Sequence, residues 1–116
     1  MDKNCTIYKT ADFIGKKWTL LILLELYKNK KRYSELKKSI LTITPKILSL
    51  RLKELEKENM IVRKVDSQTF PIKCEYSLTK GGEEFIDVIQ EMKKWALKWK
   101  VKNKVCKNSD CSQCKL

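Results

Sequence analysis

The sequence predicts a mainly α-helical domain with one small β-hairpin, and three observations predict it. Apolar residues recur at helical spacing up to about Glu58, switch to strict alternation in IKCEYSLT (72–79), and return to helical spacing from Gly82 to about Lys102. A chain of 116 residues has room for a single core. The domain is expected over residues 5–102, and residues 103–116 form a basic, cysteine-containing tail.

The elements follow from local chemistry. TIYKTADFI (6–14) is a short helix that Gly15 can close. From about Lys17 to Tyr27, the density of Trp18, Leu20, Leu21, Ile22, Leu23, Leu24 and Leu26 predicts a helix buried nearly all round. KNKKR (28–32) breaks that pattern, and Ser34 is the expected N-cap of a short helix carrying Leu36 and Ile40. Thr44 then caps a helix running to about Glu58, with Pro45 at its first position, where a missing N–H costs nothing. IVRKVD (61–66) and IKCEYSLT (72–79), joined by SQTFP, read as a two-stranded hairpin with Ile72, Cys74, Tyr76 and Leu78 facing inward. Cys74 is therefore expected to be a core residue. A long helix is expected from Gly82, presenting Phe85, Ile89, Met92 and Ala96 in one row with Trp95 and Trp99 beside it. Two short helices, a tight turn, a third helix and a hairpin make a winged helix-turn-helix with a long C-terminal helix.

The net charge of +12 is unevenly spread. Residues 28–64 carry twelve basic and four acidic side chains, and residues 91–116 carry eight and two, whereas residues 65–90 are net acidic. Such surfaces attract polyanions, because neutralised phosphates release condensed counterions. Lysine dominates arginine, so a merely lysine-rich, solvated surface gives the same total. With no histidine and no Gly-rich phosphate loop, the usual general base and nucleotide cradle are missing, and an enzyme is not expected. The start MDKNCTIYK has no apolar signal core and no run is long enough to span a bilayer, so a cytoplasmic, non-membrane protein is expected.

The helix from Thr44 carries the most information. Stepping about 100° per residue from Leu48 puts Leu52 and Leu55 within about 40° of it, and Lys46, Leu50, Lys53 and Lys57 within about 40° of the opposite direction. Ser49 falls at the edge. One face is thus anchored in a core and the other is narrow and mostly polar, as a helix entering the major groove requires.

FIGKKWTLLIL (13–23), RYSELKKSI (32–40), ITPKILSLRLKELEKENMIVRK (43–64) and KCEYSLTKGG (73–82) together resemble the HxlR-type helix-turn-helix family of prokaryotic transcriptional regulators, a branch of the MarR-like winged-helix proteins. The resemblance runs over roughly residues 5–100, in order. Lys16 stands where a second glycine is usual, Asn59 where glycine commonly ends the recognition helix, and Thr6 where proline often follows the cysteine. Asn59 can still adopt the left-handed cap.

The resemblance implies a homodimer on a pseudo-palindromic double-stranded DNA operator, with the hairpin 61–79 as wing. Carried onto this sequence, Lys46, Ser49, Leu50 and Lys53 would lie near base edges with Thr42 and Thr44 beside them. Ser34, Lys37, Arg63, Lys64, Gln68 and Lys73 would meet phosphates. Phe85, Ile89, Met92, Trp95 and Trp99 would form the dimer interface together with the first helix. Cys5 aligns with a cysteine that senses oxidants or electrophiles in several members.

The tail lies outside the family pattern. Cys106, Cys111 and Cys114 form C-x4-C-x2-C, a spacing that suits an iron–sulfur cluster or three thiolates of zinc, with Cys5 or Asp110 as the fourth ligand. No cofactor is required for the DNA-binding reading. Two other readings stay open: a nonspecific nucleic-acid or chromatin-associated basic protein, and a metal or redox protein using the tail cysteines.

Overall fold

The computed structural model describes residues 1–100, 103, 107, 108 and 110–113. Helices α1 (Thr6–Ile14) and α2 (Thr19–Lys28) are followed by strand β1 (Lys31–Arg32), α3 (Tyr33–Ser39) and α4 (Pro45–Lys57). Strands β2 (Ile61–Asp66) and β3 (Lys73–Leu78) lead into α5 (Lys80–Trp99), and a 3-10 turn, Cys111–Gln113, lies against α2. The sheet is antiparallel in the order β1-β3-β2, with Ile61 opposite Leu78, Val65 opposite Cys74 and Lys31 opposite Tyr76. This is the winged helix-turn-helix expected, with a long C-terminal helix.

One core joins the layers, with α1 contributing only the partly buried Phe13 and Ile14. Ile22, Leu23 and Leu26 of α2, Leu36 of α3, Leu48, Leu52 and Leu55 of α4, Tyr76 of β3 and Ile86 and Ile89 of α5 are all buried. Helix α1 buries no residue fully, and Phe13 and Ile14 at its C-terminal end pack against the core.

Four local outcomes differ from expectation, each for a physical reason. Helix α2 starts at Thr19, because Trp18 sits in the left-handed region at φ 83° and cannot continue a helix. A non-glycine residue there costs on the order of 1–3 kcal/mol, so its surroundings must hold it. Burial of α2 is not all-round either, since Leu21 is 46% exposed. Helix α3 starts one residue before Ser34: Arg32 is its N-cap residue, and Glu35 Oε1 accepts from the Arg32 backbone N–H at 3.0 Å. Ser34 is therefore inside the first turn. Helix α5 begins at Lys80 with Thr79 as N-cap, whose hydroxyl accepts from the Gly82 N–H at 3.1 Å and donates to the Asn59 carbonyl at 2.6 Å. Gly82 is needed for close approach rather than as a start signal, because a methyl group there would collide with the Met60 carbonyl.

Strand β1 is the element with no sequence signature. Two residues show no period, and pairing with β3 is a long-range event. Lys31 is buried on it because its ammonium is satisfied, donating to the Glu25 carbonyl at 2.7 Å and Asn29 Oδ1 at 2.8 Å. Burial lowers its pKa, against the opposing pull of Glu25.

Candidate nucleic-acid interface

Helix α4 is delimited at both ends by the residues that predicted it. Thr44 Oγ1 accepts from the Ile47 N–H at 3.3 Å, and Pro45 takes the first helical position. At the other end Asn59 adopts φ 58°, Met60 N donates to the Leu55 carbonyl at 2.9 Å and Asn59 N to that of Glu56 at 3.0 Å. That is a Schellman cap built on asparagine. Tyr33 braces the helix start, its hydroxyl donating to the Pro45 carbonyl at 3.0 Å.

The two faces of α4 separate as the helical phase requires. Leu48, Leu52 and Leu55 are at most 1% exposed, whereas Leu50 is 44% exposed between Lys46 and Lys53, both uncovered. Ser49 is half-buried at the edge and donates to the Tyr33 hydroxyl at 3.4 Å. Thr42 and Thr44 are exposed in the turn before α4, and Ser34 is exposed on α3, where Lys37 is half-buried.

The carboxylates leave this face alone. Glu25 pairs with Lys28 and Lys31, Glu54 with Lys16 and Arg51, and Glu91 with Lys94. Among the described residues, Lys37, Lys46, Lys53, Lys64 and Lys73 have no carboxylate within salt-bridge distance. Unpaired ammonium groups can take phosphates without first breaking an ion pair.

The wing residues do not gather on one surface. The register puts Arg63 on the same side of the hairpin as Tyr76 and Cys74, and Lys64 and Lys73 on the other side with Glu75 and Asp66. Arg63 Nε donates to Cys74 Sγ at 2.8 Å, so its guanidinium is folded back along the hairpin. Cys74 faces the core as expected but packs at its edge, half-buried, with Ile72 and Val65 beside it on that side 63% and 53% exposed. Gln68 is exposed near the tip, its N–H donating to Asp66 Oδ1 at 3.0 Å. Phe70 at the tip is fully exposed, which the alternation of the strands did not mark.

A second uncovered surface runs along α5. Val88, Met92, Trp95 and Trp99 recur at four-, three- and four-residue steps and are 49%, 47%, 57% and 65% exposed. Their stripe lies roughly 120° around the helix from the buried Gly82, Ile86 and Ile89. Ile89, expected at an interface, is 5% exposed and belongs to this chain's own core, and Phe85 is partly buried against that core. Val88 was missed because isolated valine carries no signal until the buried stripe is known. Ile7 and Tyr8 of α1 are exposed as well.

Cys5 is the N-cap residue of α1 and is half-buried. In the tail, Cys111 is half-buried in the 3-10 turn, whereas Cys106 and Cys114 lie outside the described residues. The Ser112 backbone N–H and hydroxyl hold the Asp110 carboxyl below its usual pKa. Among the described residues no cluster of three His, Cys, Asp or Glu side chains is arranged to hold a metal. Among the same residues, no helix is long and apolar enough to cross a membrane.

Known proteins share both the sequence and this architecture. Residues 13–104 match the HxlR-like helix-turn-helix family. The chain is 42% identical over 98 residues to the HTH-type transcriptional regulator YdeP of Bacillus subtilis, covering 84% of this chain and 76% of that one. The reduced form of the transcriptional regulator YodB from B. subtilis superposes with a TM-score of 0.76 at 35% identity, covering 85% of this chain and 97% of YodB. The redox regulator HypR in its oxidised form gives a TM-score of 0.75 at 33% identity, covering 84% and 99%. With its fold, its uncovered α4 face and these relatives in agreement, the chain belongs to the HxlR-like helix-turn-helix family of DNA-binding transcriptional regulators.

Proposed function

We propose that the protein acts as a homodimer whose two α4 helices enter successive major grooves of a pseudo-palindromic operator, with the β2–β3 hairpins as flanking wings. One observation carries the reading: α4 buries three leucines on one side and leaves Lys46, Leu50 and Lys53 uncovered and unpaired on the other. Lys46, Ser49, Leu50 and Lys53 then reach base edges, with Thr42 and Thr44 beside them. Ser34, Lys37, Lys64, Gln68 and Lys73 meet phosphates, and Arg63 joins them after leaving Cys74. Phosphate contacts set position, and the α4 face reads sequence.

The test begins with selection of operator sequences from a randomised duplex library. For the selected operator, log affinity should fall steeply with log salt, by about 0.9 per phosphate contacted. Lys46→Ala and Lys53→Ala should each weaken specific binding by about 1–3 kcal/mol if they reach base edges. Equal affinity of wild type for all duplexes would instead leave the nonspecific, charge-only reading.

The thiol at Cys5 supports a regulatory extension. Its position at the α1 N-terminus, beside the exposed Ile7 and Tyr8, puts a half-buried sulfur at the edge of the proposed dimer surface. Likeness to a redox regulator adds to that reading. Treatment with diamide should change operator affinity of the wild type and leave Cys5→Ser unchanged; an equal response of both removes Cys5 from the sensing role.

A further inference from the structure

The connection between α1 and α2 is tied to the recognition helix by side chains that the DNA-binding reading leaves unused. Arg51, on the flank of α4 and with its side chain only 14% exposed, donates through Nε to the Lys17 carbonyl at 3.2 Å. Its Nη1 reaches Glu54 Oε1 at 3.2 Å, and the same oxygen takes Lys16 Nζ at 3.1 Å. Glu54 Oε2 is buried and has no hydrogen-bond partner among the described residues. This elbow thus engages the carboxylate through Oε1, on a side chain that is one-quarter exposed. Between the two anchored residues and α2 lies Trp18, held at φ 83° with its ring against the core and Lys17 Nζ 4.5 Å above it. A left-handed non-glycine residue persists only where neighbours impose it.

Helix α1 makes this connection consequential. Only Phe13 and Ile14, at its C-terminal end, pack against the core, and neither is fully buried, so the elbow directly after them governs how the rest of the helix is directed. An open groove lined by Lys9, Asp12 and Phe13 of α1 together with Glu58, the C-cap of α4, shows α1 running beside the far end of the recognition helix. The elbow and this groove are where α1, with its uncovered Ile7 and Tyr8, meets α4.

We propose that Arg51 and Glu54 are positioning residues for operator reading: by clamping Lys16 and Lys17 they lock α4 to α1, so that dimer geometry sets the separation of the two recognition helices. The inference rests on the dimeric reading above. Its physical content is spacing. Moving one half-site by a base pair displaces it by about 3.4 Å and rotates it by about 35°, which a locked pair of helices cannot follow. Helices released from the elbow can follow it. Leu50 and Lys46 still read the same bases within each half-site.

The test uses full-length protein and the operator selected from a random library, remade with its half-site centres one base pair closer and one farther apart. Wild type should lose at least about tenfold in affinity on either altered spacing. Arg51→Met, and Glu54→Gln separately, should bind all three spacings within about threefold of one another, with base preference inside the half-site retained. Lys16→Ala, at a 39% exposed side chain, should fall between them and covers the case in which Arg51→Met does not fold. Mere destabilisation lowers the active fraction equally for every spacing, so it cannot mimic a loss of discrimination. Variants that discriminate spacing as sharply as wild type overturn the clamp alone. A wild type that is monomeric or indifferent to spacing overturns the dimeric reading and the clamp with it.

Discussion

On the dimeric reading proposed above, Trp95→Glu should yield a monomer and lower operator affinity by about a hundredfold or more, because two half-site contacts no longer bind as one. The α5 stripe explains the size of the effect. Trp95 and Trp99 are more than half exposed in the single chain, in line with Met92 and Val88, and this is more apolar surface than a monomer's core uses. A lysine lies over each ring, with Lys100 Nζ 5.7 Å from the Trp95 ring and Lys98 Nζ 5.3 Å from that of Trp99. A carboxylate at position 95 would have to be buried unpaired in a partner's apolar stripe, which is unfavourable by several kcal/mol. The folded chain itself loses little there, only the Lys100 contact on a ring more than half exposed, so far-ultraviolet dichroism should be unchanged while light scattering reports half the mass. A variant that keeps the dimer mass would place the interface elsewhere.

Leu52→Ala should destabilise the domain by about 2–5 kcal/mol, whereas Leu50→Gln, two residues away, should stay within about 0.5 kcal/mol of wild type. The contrast follows from position on α4. Leu52 is 1% exposed and contacts the core, so truncation leaves a cavity as well as losing transfer free energy. Set against a typical domain stability of roughly 5–15 kcal/mol, that loss is a large fraction. Leu50 is 44% exposed among lysines, where it can touch a thymine methyl that a charged neighbour would not favour. Its replacement should therefore alter base preference at one operator position and leave urea unfolding nearly unmoved. If Leu50→Gln unfolds the protein, the outward face of α4 is misassigned.

Much of the site was legible because helical periodicity is a local property. The caps Thr44 and Asn59, the buried Leu48, Leu52 and Leu55 and the uncovered Leu50 all follow from spacing and backbone preference within one segment. The hairpin was legible for the same reason, since alternation has its own period. Legibility failed where an element is too short to repeat or where a distant partner decides. Strand β1 exists through Tyr76 and Glu75 of β3. Ser34 lost the cap position because Glu35 reaches back to the Arg32 N–H.

By itself the sequence determined which residues form helices and hairpin, which side of α4 turns inward and how the positive charge is distributed. These depend on propensity and period, which act over a few residues. The tertiary structure alone decided that Ile89 closes the core while Val88 joins the uncovered stripe, that Arg63 turns away from Lys64 and Lys73, and that Arg51 and Glu54 hold the α1–α2 elbow. Each of these depends on which distant groups meet, and residues 34 positions apart, such as Arg51 and Lys17, carry no shared local signal from which their contact could be read.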